Sequence, residues 1–251
     1  MNIDIVYTIN VHEKVHFLLK QLNNIIEHNV NNTFVVILSC NNYMYSELRN
    51  TKLPDFVYIN QEIINKNRFH GSLTHGIVSN LKYALNNFIF KYFIVLSSRN
   101  LFYDTLNLNT LNNLQKKYNI DNDINNFRKN NYYNCEYNFW HWPSFKTSKL
   151  ATHYFSMNCS LYESMHEGLV FSYNVCKNII KFLNDMIDIT NDTINFNNCV
   201  EEFALQTISM KEIDFNNREY GFIYIGNGSV THYINELTKD GIRIIYKTIR
   251  I

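Results

Sequence analysis

The sequence predicts an α/β fold: one domain over residues 1–251, with a mostly parallel central sheet flanked by helices and a β-rich C-terminal tail. Three observations predict it. Short β-rich apolar runs alternate with helical-period segments through the first hundred residues. One of those runs, TFVVILS (Thr33 to Ser39), is continuously apolar, as in strands covered on both faces. A hydrophobic content of 46% with 18% charged residues fills a sizeable core and excludes disordered and fibrous classes.

The elements follow in order. Ile3 to Ile9 reads as a strand. From His12 to His28, Val15, Leu18, Leu19, Leu22 and Ile26 recur at spacings of three and four, which makes one apolar face of a helix. Thr33 to Ser39 is the second strand, Tyr43 to Arg49 a short helix, and Phe56 to Ile59 a third strand. Gly71 to Asn87 is a helix with Leu73, Ile77, Leu81, Ala84 and Leu85 inward, and Tyr92 to Leu96 is a fourth strand. This β-α-β-α-β-α-β order requires right-handed crossovers and gathers ligands beyond the strands' carboxyl ends. The first 105 residues are thus the expected nucleotide-binding half.

From Leu106 to Asn134 hydrophobicity falls and Asn, Asp and Lys dominate, the pattern of a peripheral insertion. The half from 135 to 251 opens on an aromatic segment around Trp140, His141 and Trp142. Gly168 to Phe171 then reads as a buried strand. Ser172 to Ile187 reads as a helix presenting Val175, Ile179, Phe182, Leu183 and Met186, with Ser172 or Asn174 as its cap. Cys199 to Met210 is a further helix carrying Val200, Phe203, Ala204 and Ile208 on its apolar face, and the strands GFIYIG and IRIIYKTIRI close the chain.

A formal charge of +1 provides no global field toward nucleic acid or an anionic membrane. Five dispersed cysteines without a CxxC pair argue against a disulfide framework and a structural zinc. No apolar run of spanning length occurs and the start lacks a signal-peptide pattern, so a soluble protein of the reducing cytoplasm is expected. The 41 asparagines against 7 Gly and 2 Pro read as AT-rich coding, which makes Asn-based motifs cheap, N-x-S/T triplets included.

Polar side chains at the strand ends form one rim: Asn10 and His12, Asn41 and Asn42, and Asn60 to Glu62. Amides and carboxylates suit a base and a ribose there, although the same residues also cap strands and helices. Lys66-Asn67-Arg68-Phe69-His70-Gly71-Ser72 is a basic loop entering a helix N-terminus, where free N–H groups and the dipole favour a phosphate. The fourth strand ends in Ser97-Ser98-Arg99-Asn100, where a metal-dependent sugar-nucleotide transferase would carry Asp-x-Asp. No carboxylate stands in that place, so neutralising a diphosphate falls to Arg and Lys. Glu201-Glu202, at the start of a helix, are the candidates for acid/base chemistry, or they serve the macrodipole. Trp140, His141, Trp142 and Glu167 are the acceptor-side candidates; aromatic segments of this kind also build cores.

Several strings together resemble the family of core-2/I-branching N-acetylglucosaminyltransferases and peptide-O-xylosyltransferases. DIVYTINVHEKVHFLLKQL resembles its opening strand, VH turn and helix; HGSLTHGIVSNLKYALNN its W-G-x-x-S-L-V-x-A…L-x-A-L stretch; and YFIVLSSRNLFYDTL its F-I-x-L-S-G-x-D-x-P-L. HEGLVFSYNVCKNII resembles its G-S-x-W-F-x-L-S-R segment, and VEEFALQTI its D-E-x-F-x-x-T block. The resemblance spans most of residues 1 to 210. His70 stands in place of the tryptophan, Ser98 of the glycine and Asn100 of the aspartate.

The resemblance implies a GT-A-type fold and inverting, metal-independent transfer of GlcNAc or xylose from a UDP-sugar to a glycan or other hydroxyl acceptor. It places the general base at Glu202, five residues before Thr207, with Glu201 beside it. Donor contacts would come from His12, Asn41, Arg68, His70, Ser98, Arg99 and Asn100. C-terminal basic residues, among Lys211, Arg218, Lys239 and Arg243, would neutralise the diphosphate. No cofactor, nucleic acid or membrane-spanning segment is expected. Two alternatives stay open: a nucleotide- or glycan-binding module that has lost catalysis, and a transferase of another family using Mn²⁺ or Mg²⁺ with Asp104 as a ligand.

Overall fold

The computed structural model describes residues 2–66, 71–109, 111–112, 128–130, 152, 156, 161–163, 166–184, 200–202, 204–205, 220–222, 224–227 and 245–247. Strand β1 (Asn2–Val11) leads into α1 (Val15–His28), β2 (Phe34–Cys40), α2 (Asn42–Arg49), β3 (Val57–Ile59), α3 (Ser72–Asn87), β4 (Ile89–Ser97) and β5 (Asn100–Phe102). Then come β6 (Arg128–Asn130), β7 (Leu161–Glu163), β8 (Leu169–Ser172), α4 (Tyr173–Asn184), a 3-10 turn (Val200–Glu202), β9 (Tyr220–Phe222), β10 (Tyr224–Asn227) and β11 (Ile245–Lys247).

The main sheet has the order β3-β2-β1-β4-β8-β9. Its first four strands are parallel, while β8 runs antiparallel to β4, and β9 to β8. The result is a mixed, mostly parallel sheet flanked by helices. A small sheet, β10-β11-β5, and a pair, β6-β7, complete the strands described.

Strands buried on both faces need apolar side chains on both, and the central stretches of β1 and β4 supply them: Ile5, Val6, Tyr7, Ile9, Phe93 and Ile94 are wholly buried. Two polar devices pin their amino ends. Asp4 Oδ2 accepts from the Thr33 amide (2.9 Å) and hydroxyl (2.8 Å), and Asp4 Oδ1 meets Lys91 Nζ at 2.7 Å, so one carboxylate joins β1, the start of β2, and β4. The buried Tyr7 hydroxyl donates to Asn29 Oδ1 at 2.7 Å, beyond the end of α1.

Right-handed crossovers put the helices of leftward and rightward connections on opposite faces. Accordingly α1 packs with α2 and β5, whereas α3 packs with α4 and the 3-10 turn. Wedged between the sheet and these neighbours, α3 is buried nearly all round, from Ser72 and Thr74 through Ser79 and Asn80 to Ala84. Ser172 is the cap of α4, its Oγ accepting from the Val175 amide at 3.3 Å.

The structure departs from the sequence expectations, or adds to them, at five places. β1 and β4 extend beyond their predicted spans, so Asn10 is a strand residue, 6% exposed, and no longer a rim residue. The buried face of α1 runs through Leu18, Gln21, Leu22 and Ile25; Ile26 is turned outward, because Gln21 is drawn inward by the polar turn it supports. β8 and β9 join the sheet antiparallel. The stretch expected to be peripheral from Leu106 starts inside the core: Leu106 and Leu111 are buried, and the Leu106 amide donates to His28 O at 2.8 Å. Of the helix expected over Cys199 to Met210, the described part is the 3-10 turn with Ala204 and Leu205 helical; the rest lies outside the described residues. Among the described residues no helix is long and apolar enough to cross a membrane.

Candidate functional site

From β1 the chain builds the sheet outward in one direction through β2 and β3, then returns through α3 to place β4 on the other side of β1. The connections therefore diverge between β1 and β4, leaving a crevice at their carboxyl ends, which is where open α/β sheets bind ligands.

Four side chains meet there. His12 follows β1, and its Nδ1 lies 3.2 Å from the Asn10 carbonyl; an Nδ1–H donated to that oxygen leaves the Nε2 lone pair facing the crevice. Ser98 Oγ stands 3.3 Å from Nε2, in position to donate to it. The Glu13 carboxylate lies between two bases, 3.6 Å from His12 Nε2 and 3.7 Å from Arg99 Nε. Imidazole, hydroxyl, carboxylate and guanidinium from two adjacent strand ends give this crevice both proton-accepting groups and a cation. Glu13 is absent from the sequence candidates, although it adjoins His12 in the VHE turn and shares its strand end.

The turn carrying Ser98 and Arg99 is held from within. Asn100, 1% exposed, accepts the Ser97 amide on its Oδ1 at 2.6 Å. From α1 the buried Gln21 amide donates to the carbonyls of both Ser97 and Asn100, each at 2.8 Å. Asn24 exchanges two bonds with the Phe102 backbone, as a neighbouring strand would, at 2.9 and 2.6 Å. Sequence periodicity misses Gln21 and Asn24 because it scores an amide on a helix face as a polar interruption. Asn41, another donor candidate, caps α2 by accepting the Met44 amide at 2.8 Å.

A second network crosses the sheet under α3. Asn80, wholly buried, donates to Thr8 Oγ1 (2.9 Å) and Ile37 O (3.0 Å); Asn60 donates to Asn80 Oδ1 (3.0 Å) and Ser79 Oγ (2.8 Å) and accepts the Glu62 amide (3.0 Å). Glu62 holds the Ser79 hydroxyl and His75 Nε2, the latter at 2.9 Å. Burial outweighs Glu62 and keeps the His75 imidazole below its ordinary pKa, with Lys82 and Lys66 pushing the same way.

Of the acid/base candidates, Glu201 is buried at 2% exposure in the 3-10 turn that packs on α3, and the backbone of Glu202 completes that turn. Glu167 is wholly buried, with His166 Nδ1 3.4 Å from its Oε2. Gly168, at φ 82°, follows it and donates its amide to Val95 O at 2.7 Å, so Glu167 sits beside the carboxyl end of β4. The structure thus brings His12, Ser98 and Arg99 together and sets Glu167 at the same sheet edge. Arg68, His70, Trp140, His141, Trp142, Lys211, Arg218, Lys239 and Arg243 lie outside the described residues. No protein-family model matches the chain, and no curated protein matches its sequence.

Proposed function

We propose that the chain is a GT-A-like glycosyltransferase that moves a sugar, GlcNAc or xylose, from a UDP-sugar to a glycan or other hydroxyl acceptor with inversion. The observation that carries the reading is the crevice between β1 and β4, with His12, Ser98 and Arg99 at its mouth. The antiparallel β8 adds support, because it brings Glu167 to that edge, where an acceptor would approach.

In this reading the nucleotide lies over the carboxyl ends of β1 and β4. Glu202 takes the acceptor proton as the hydroxyl attacks the anomeric carbon, and the C–O bond to UDP breaks. Arg99 and basic residues of the C-terminal part stabilise the leaving diphosphate. Because Ser97-Ser98-Arg99-Asn100 offers no carboxylate, the reaction is proposed to proceed without Mn²⁺ or Mg²⁺, in the cytoplasm.

The test combines a screen and a variant. A UDP-sugar that is a true donor raises the melting temperature by mass action. Glu202→Gln then lowers turnover by roughly 10²- to 10⁴-fold while donor affinity holds. Equal turnover in that variant removes Glu202 from the mechanism, and transfer abolished by EDTA overturns metal independence. Donor binding without transfer to any acceptor supports instead a binding module that has lost catalysis, the reading favoured by Asn100 serving as a turn brace where the family has an aspartate.

A further inference from the structure

The strand ends that border the crevice are adjacent and parallel, with Asn10 of β1 opposite Ser97 of β4. Beyond that register pair β1 runs through Val11 into His12 and Glu13, and β4 passes into Ser98 and Arg99. Their side chains meet across the gap. Ser98 Oγ stands 3.3 Å from His12 Nε2, and Arg99 Nε lies 3.7 Å from Glu13 Oε1. Neither pair is local in the chain, so the sheet register alone brings them together. Both bridge the mouth over which a ligand would lie.

The Glu13–Arg99 pair carries the charge. The two side chains are 16% and 25% exposed, so most of each is out of water. Separating such a pair with nothing in place of the carboxylate is costly. The contact at 3.7 Å is also longer than the about 2.7–2.9 Å of a charge-assisted hydrogen bond, so a ligand oxygen at bonding distance from Arg99 gains on it. His12 Nε2 lies 3.6 Å from the same carboxylate oxygen, and the imidazole is charged only when protonated. The fixed charge that Glu13 faces across the crevice is therefore that of Arg99.

We infer that Glu13 occupies the place of an anionic ligand group and is exchanged for it at Arg99. An incoming oxyanion takes the carboxylate's side of the pair and turns Glu13 outward. A neutral ligand would part the pair and replace nothing. Glu13, tethered beside His12, also repels the anion that displaces it, so the site favours a group with more charge and more acceptor oxygens than a carboxylate has. A diphosphate has both. That it belongs to a nucleotide rests on the proposed glycosyl transfer; the exchange itself does not.

Calorimetry on the full chain with pyrophosphate, UDP and uridine tests it, using Glu13→Gln, Arg99→Gln and the double variant. Glu13→Gln keeps the shape and removes the charge, so both anions are expected to bind roughly tenfold more tightly, with any uridine affinity unchanged. Arg99→Gln should weaken both anions, and in its background the gain from Glu13→Gln should largely disappear, the coupling expected of groups that compete for one partner. If Glu13→Gln fails to fold, Glu13→Ala carries the same test. Anion affinity unchanged or lowered in Glu13→Gln overturns the exchange, because Glu13 then orients Arg99 for the ligand or has no part in binding. A gain of equal size in both backgrounds, or no binding of either anion to any of these proteins, overturns it too. Tighter pyrophosphate binding without any UDP binding keeps the exchange and removes the nucleotide reading. Sugar transfer by the parent with no gain in Glu13→Gln keeps the transferase and removes the exchange.

Discussion

Replacing Gly76 by alanine sets two opposed effects against each other. In a helix interior the exchange is worth about 1 kcal/mol in favour of alanine. Gly76 has ordinary helical geometry, so no backbone strain accompanies the change. Space decides the outcome. The new Cβ would meet Asn10 Oδ1 well inside contact, Lys66 Cε at 2.7 Å and Ser39 Oγ at 3.0 Å. Lys66 can swing its long stem away, whereas Asn10 is held by Leu73 O on one side and by its place in β1 on the other. Either α3 lifts from the sheet or the Asn10 bond breaks. Overpacking costs about 1–3 kcal/mol, and the lost bond adds about 1 kcal/mol. After the helix-propensity gain, a net destabilisation of roughly 1–3 kcal/mol remains. For a chain of this length that lowers the melting temperature by about 2–4 °C per kcal/mol. Urea denaturation at constant slope reads it directly. The same exchange in an Asn10→Ala background meets no amide oxygen and should recover most of the loss as a coupling energy. A stabilised Gly76→Ala protein, or an equal effect in both backgrounds, refutes the steric account.

Three further outcomes follow from the buried polar groups. Asn100→Ala leaves the Ser97 amide without its acceptor and should cost about 1–3 kcal/mol in urea denaturation, whereas Asn100→Asp keeps an oxygen in place and should lie close to the parent; equal losses would contradict the turn-brace role. Tyr7→Phe strips a wholly buried bond to Asn29 and should cost about 1–2 kcal/mol, read by thermal melting, with an unshifted melt as the contrary result. Burial pushes the Lys66 ammonium down to about 8 from an ordinary 10.5, so between those values the unfolded chain binds the proton that the folded chain has released. The penalty is full below pH 8 and relieved as pH rises toward 10.5; this contribution to stability must therefore rise with pH, and Lys66→Met must lose that slope.

The alternation of strands and helices was legible because burial on both faces of β1, β2 and β4 demands unbroken apolar runs, and a half-buried helix such as α4 demands period 3.6. Direction was less legible. Nothing in LVFS distinguishes a parallel strand from an antiparallel one, and β8 takes its direction from the positive-φ turn at Gly168 that docks it against Val95. The start of the expected insertion was misplaced for a related reason. Leu106 and Leu111 are isolated among polar residues in the sequence, yet each fills core space that only the tertiary arrangement creates.

The asparagines carry the larger lesson for the site. Read as a coding bias, they looked interchangeable, yet Asn10, Asn24, Asn29, Asn60, Asn80 and Asn100 each replace a backbone partner or bridge two elements through an amide. An amide can do this because it offers a donor and an acceptor in the geometry of a peptide group. That capacity also limits what the rim can bind. A side chain whose oxygen is committed to a backbone N–H, as in Asn41 and Asn100, has that atom to offer a ligand only at the expense of a cap or a turn. At the crevice His12 and Glu13 follow β1, and Ser98 and Arg99 stand on the turn that the amides of Asn100 and Gln21 hold. Precise placement of reacting groups requires such support, and here α1 supplies it through Gln21.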